Sequence, residues 1–160
     1  MMQQQKEIRR KAQELLLKYG LRKTSCRVSV LELLMHYNYA LAHADLEKQL
    51  GSDYDRVTLY RTLYSFKEQG LVHSITDLNG IIKYALCREA CSNLQHQHDH
   101  VHFSCCKCGQ TYCLNEVRLG PISLPEGYSA SDVQFSVQGI CKACNAQSIE
   151  GNFCREPFPI

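Results

Sequence analysis

No run of 18 apolar residues occurs in this 160-residue chain, which excludes a membrane-spanning helix. The start, Met1-Met2-Gln3-Gln4-Gln5-Lys6, lacks the apolar stretch of a secretory signal and leads into a charged helical pattern. A cytoplasmic protein is expected. There is no internal repeat and no low-complexity segment. There is also no nucleophile–base pair, no glycine-rich phosphate loop and no open catalytic zinc site, so an enzyme is not expected. Net charge is scarce too, at +2. Its distribution says more: residues 1–88 carry a balance of +5 and residues 89–160 one of −3. A basic front half points to nucleic acid.

What is abundant is metal-ligand chemistry. Apolar residues make up 44%, enough for a core, and there are ten cysteines and seven histidines. In a reducing compartment such cysteines point to metal ligation rather than a disulfide framework.

In the front half, Ile8, Ala12, Leu15, Leu16 and Tyr19 recur at helical spacing and Gly20 ends the pattern. Thr24-Ser25 offers a cap for a second helix bearing Val28, Leu31, Leu34 and Met35. Cys26 is expected to pack there as a small hydrophobe. Residues 43–50 read as a short third helix, broken by Gly51-Ser52-Asp53. Asp55 caps a fourth over about 56–69, closed by Gly70, with Leu59, Leu63 and Phe66 on one face. Short helix, turn and second helix form a helix-turn-helix. Residues 71–75 and 81–86 read as strands around the turn Asp77-Leu78-Asn79-Gly80, so a winged helix is predicted. Residues 100–105, 110–114 and 133–139 read as further strands. Gly120-Pro121 and Pro125 argue against a long helix between them. The expected organisation is a winged-helix DNA-binding domain over 1–87, a hinge over 88–98, a metal-binding domain over 99–147 and a loose tail over 148–160.

Three constellations carry chemistry. Cys105-x-x-Cys108 and Cys141-x-x-Cys144 supply four thiolates, the donor set of structural Zn²⁺. Buried thiols or a redox pair are the alternatives, and the latter lacks its βαβ setting. Cys106 is left outside the set. Next, His96, His98, His100 and His102 alternate along the chain. On a strand His100 and His102 share a face and can reach one metal, whereas His96 and His98 read as an exposed linker. Finally, Arg56, Thr58, Tyr60, Arg61 and Tyr64 lie on the fourth helix, where tyrosine and arginine can reach base edges and phosphates. The bland reading is an amphipathic surface helix.

Together these strings carry a resemblance. Val57-Thr58-Leu59-Tyr60-Arg61-Thr62-Leu63 with Gly70-Leu71-Val72, then His100-x-His102-x-x-Cys105-x-x-Cys108-Gly109, then Cys141-x-x-Cys144, resemble the ferric uptake regulator family over about residues 15–146. The resemblance implies an α+β chain: a winged helix followed by a small α/β dimerisation domain with a four-cysteine zinc site. It implies a cytoplasmic homodimer on double-stranded palindromic operator DNA, with Tyr60 on a base and Arg61 on a phosphate. It also implies a regulatory metal site between the two domains, whose filling sets the operator-binding form.

The chain departs from the family at that regulatory site. Iron-sensing members place a glutamate at the end of the second wing strand, where this chain reads Tyr84-Ala85-Leu86-Cys87. A cysteine just after that strand resembles the zinc uptake regulator branch. Five residues past Cys108, where the family has Glu or Asp, stands Cys113. The regulatory set is therefore Cys87, His100, His102 and Cys113, with Cys91 a rival and His43 and His73 more distant. Two sulfurs and two imidazoles favour Zn²⁺ over Fe²⁺. Val101 stands where the family often has Asp, and 120–127 replaces a helix with acidic ligands, so the family's additional metal site is not expected. The reading is a zinc-responsive repressor of metal-uptake genes. The alternatives are an iron- or peroxide-responsive member, a thiol switch through Cys87, Cys91 or Cys106, and, in another class, a zinc-ribbon interaction module or metal buffer.

Overall fold

The computed structural model describes residues 2–77, 79–86, 100–118, 120–131 and 133–146. The hinge, the tail, Cys87, Cys91, His96, His98 and Cys154 lie outside them. The chain divides into two compact units, Met1–His96 and Gln97–Ile160.

The first unit opens with helix α1 (Met2–Lys18) and α2 (Ser25–His36). Helix α1 turns Ala12 and Leu16 inward and ends where Gly20 adopts φ +67. The Leu21 amide then reaches back to the Leu16 carbonyl at 2.8 Å, which satisfies an orphan carbonyl. Helix α4 (Arg56–Glu68) ends the same way, with Gly70 at φ +70 and Leu71 N donating to Phe66 O at 2.8 Å. The two predicted caps form: Thr24 Oγ1 accepts from Arg27 N, and Asp55 Oδ1 from Thr58 N at 2.9 Å. Between them lie strand β1 (Leu41–Ala42) and helix α3 (His43–Leu50). Residues Gly51–Asp53, which read as a plain break, form a 3₁₀ turn. Leu16, Leu31, Leu46, Leu59, Leu63 and Phe66 are fully buried together. Cys26 joins them, its sulfur 3.5 Å from Thr62 Oγ1.

Strands β2 (Val72–Thr76) and β3 (Ile82–Leu86) make the wing, with Ser74 opposite Tyr84. Asp77 builds its turn by accepting from the Asn79 and Ile81 amides, each at 2.9 Å, and pairing with Lys83 at 3.0 Å. Strand β1 adds to β3, giving the sheet order β1-β3-β2. This third strand has no counterpart in the sequence pattern, because two residues are too few to show a period.

The second unit contains β4 (His100–Cys105), β5 (Thr111–Arg118), β6 (Phe135–Gly139) and the short helix α5 (Lys142–Ala146). The sheet order is β5-β4-β6, with β4–β5 antiparallel and β4–β6 parallel. Gly139 lies under the Phe103 ring, where an added Cβ would approach to 3.0 Å. Strand β5 runs four residues beyond the predicted 110–114, and α5 carries no periodic signal at five residues.

Candidate metal centres and nucleic-acid interface

The turn between β4 and β5 brings Cys105 and Cys108 together, closed by Gly109 N to Cys105 O at 2.9 Å. Helix α5 begins just after Cys141 and carries Cys144. The two pairs meet because β6 lies parallel beside β4, so the chain leaving β6 arrives where β4 ends. The sulfurs of Cys105, Cys108, Cys141 and Cys144 all lie within 4.8 Å of one another, and Cys108 and Cys141 are 3.8 Å apart. A tetrahedral ion with Zn–S bonds of about 2.3 Å sets its sulfurs about 3.8 Å apart, so the four residues fit zinc.

The four thiols are not equivalent. Burial pushes the Cys105 thiol up, but amide hydrogen bonds from Cys108, Cys141 and Lys107 outweigh it and bring it down to about 6. Cys141 is also lowered, chiefly by the Cys144 amide and against some desolvation, with the Tyr112 hydroxyl assisting. Cys108 is raised by desolvation and by the Cys105 sulfur beside it. Cys144 is pushed up to about 12 by desolvation and its three sulfur neighbours. Without metal the four are therefore divided, with Cys105 and Cys141 shifted toward the thiolate and Cys108 and Cys144 toward the thiol. Cys106, on the same turn, is exposed and disulfide-bonded.

A second donor set lies on the other face of the same strand pair. His100 and His102, two residues apart on β4, turn the same way and are buried. Their Nε2 atoms are 3.1 Å apart. Two imidazoles on one tetrahedral ion at about 2.05 Å would stand about 3.3 Å apart. Cys113 sits directly across from His102, and one donor atom from each of these three residues lies within 4.8 Å of the others. The register shifts between His100 and Val101, a bulge of the kind that re-aims side chains beside sites. Ser104 and Thr111 continue this face, their hydroxyls 3.3 Å apart. Cys87, the fourth residue of the sequence-predicted set, lies outside the described residues. In the first unit His73 is buried on β2, opposite Ala85.

On α4, Tyr60 and Tyr64 stand more than half exposed, with Arg56 and Arg61 exposed beside them. Leu59, Thr62, Leu63 and Phe66 face the core. Thr58 differs from the other predicted contacts: its hydroxyl donates to Asp55 Oδ2, so it serves the helix cap. Arg56 is held by an interaction that spacing does not reveal. Its Nε lies 3.5 Å from Glu47 on α3, and His43 Nε2 meets its carbonyl at 3.2 Å. No helix among the described residues is long and apolar enough to cross a membrane.

Residues 18–123 match the model of the ferric uptake regulator family. The chain is 30% identical over 134 residues to a ferric uptake regulation protein of Staphylococcus epidermidis, covering 81% of this chain and 90% of that protein. It is 28% identical over 134 residues to a zinc uptake regulation protein of Mycobacterium tuberculosis, covering 79% and 97%. The solved structure of a zinc uptake regulator complexed with zinc and DNA shares the fold at a TM-score of 0.62 and 22% identity, over 89% of this chain and 96% of that one.

Proposed function

The chain belongs to the ferric uptake regulator family, and from that premise we propose that it is a zinc-responsive transcriptional repressor of metal-uptake genes. It acts as a homodimer on a palindromic operator. Cys105, Cys108, Cys141 and Cys144 hold a structural zinc. His100, His102 and Cys113 hold the regulatory ion, with Cys87 as fourth donor and His73 as the rival for that place. The relatives include ferric and zinc regulators alike, so the choice of metal rests on the donors rather than on kinship.

The single observation that carries this reading is the sulfur–imidazole set on one face of β4 and β5. Thiolate and neutral imidazole suit Zn²⁺, whereas Fe²⁺ is better served with carboxylates present. Tyr60, Arg61 and Tyr64 supply the DNA face, with Arg56 at its edge. A metal bound more tightly by the DNA-competent form raises operator affinity by the same factor.

The test is metal content together with operator binding. One chelator-resistant zinc per protomer is expected, plus an exchangeable one whose return restores binding. His102→Ala should keep the first and lose metal-dependent binding. Restoration by Fe²⁺ alone would make the protein an iron regulator. A variant that still responds to zinc would remove His102 from the set.

One observation favours a second reading, a thiol-responsive regulator: the Cys106 disulfide. On that reading reductant alone changes operator affinity at constant zinc, and Cys106→Ser abolishes the change.

A further inference from the structure

Strand β5 places a second layer of polar side chains around the four sulfurs, which the ligand spacing alone does not reveal. Residues alternate along it: Thr111 and Cys113 face the histidines, and Tyr112, opposite Phe103, takes the other face with Cys105. Tyr112 is in hydrogen-bonding contact with Cys141. With the sulfurs as thiols, the Tyr112 hydroxyl donates to Gln110 Oε1 at 2.5 Å and the Cys108 thiol donates to the same oxygen at 3.7 Å.

Chemistry orders these contacts once the sulfurs are ionised. A thiolate only accepts hydrogen bonds, so the amide must present its nitrogen to Cys108, and the two ends of a glutamine amide are interchangeable in shape. The nitrogen has two hydrogens, one for Cys108 Sγ and one for the Tyr112 oxygen. The phenol, having accepted, gives its single proton to Cys141 Sγ. Cys105 is served by the backbone, with Cys141 N at 3.3 Å from its sulfur.

We propose that Gln110 and Tyr112 form a hydrogen-bonded outer shell of the four-cysteine zinc site, donating to Cys108 and Cys141 and thereby holding the zinc against exchange. This rests on the reading that the four cysteines bind zinc. Four thiolates on one dication leave two negative charges in excess. Donors aimed at the sulfurs spread that charge and lower their tendency to leave the ion or attack an electrophile.

The experiment uses the full chain with Tyr112→Phe, which keeps the ring, and Gln110→Ala. Zinc transfer to a chromophoric chelator is timed, and the sulfur-to-metal charge-transfer band is recorded with Co²⁺ in place of zinc. Each variant should release zinc roughly 10–100-fold faster and move the band to lower energy. The double variant should release zinc faster than either single variant, because Gln110 and Tyr112 serve different sulfurs, Cys108 and Cys141. A purely structural role would leave the band in place. Wild-type protein that binds neither ion overturns the zinc site and the outer shell with it. Wild-type protein that binds both, with variants matching it in rate and spectrum, overturns the outer shell alone.

Discussion

The two units of this chain are held by different means. The core of Met1–His96 is hydrocarbon: Leu16, Leu31, Leu46, Leu59, Leu63 and Phe66 are fully buried, and α1, α2, α3 and α4 all contribute. Each such side chain contributes about 1.5–3 kcal/mol on leaving water. Among the described residues of Gln97–Ile160 the buried set is Val101, Cys105 and Cys141 with the polar His100, His102, Ser104 and Thr111. A small sheet with so little apolar burial needs another source of stability, and metal–ligand bonds are one. The first unit is thus built as an ordinary folded domain. The second gives its interior positions to cysteine and histidine, one cluster on each face of β4–β5.

The largest expected effect that could break this contrast comes from the ligands. Cys105→Ser should remove the chelator-resistant zinc and abolish the second unit's cooperative unfolding, with helix content retained. Metal analysis and circular dichroism check it. Next comes Phe66→Ala, which should cost the first unit about 3–5 kcal/mol in a urea titration and leave zinc content untouched.

Smaller effects sharpen the contrast by pH. Zinc needs four thiolates, and Cys108 and Cys144 are held protonated. Zinc uptake by the apo protein near neutrality should therefore release at least two protons, read with an indicator in weak buffer. Cys105 is depressed from 9.0 to about 6. Its contribution to the apo fold is complete above pH 9 and is lost as pH falls through about 6. Acid should weaken the second unit in that window and not the first. The smallest change is Thr24→Ala, expected to cost the first unit about 1 kcal/mol and the second nothing.

The same contrast explains what is legible in the sequence. Helix α4 is readable because Asp55, Gly70 and the spacing of Leu59, Leu63 and Phe66 are local signals. The cysteine pairs are readable because each lies within one turn. Strand β1 and helix α5 are not, being two and five residues long. The parallel pairing of β6 with β4, which brings Cys141 beside Cys105, is a long-range choice with no local mark. Alternation places His100 and His102 on one face, but the pairing of Cys113 with His102 depends on register. So does Tyr112, whose role follows from the face it occupies. Thr58 reads as a DNA contact because spacing alone does not show that its hydroxyl is bound by Asp55.

The most direct test of the contrast is amide hydrogen exchange on the full chain before and after zinc is stripped. The account predicts that β4, β5 and β6 lose protection, while α2 and α4 keep theirs. Unchanged protection across β4–β6, or equal loss in both units, would contradict it.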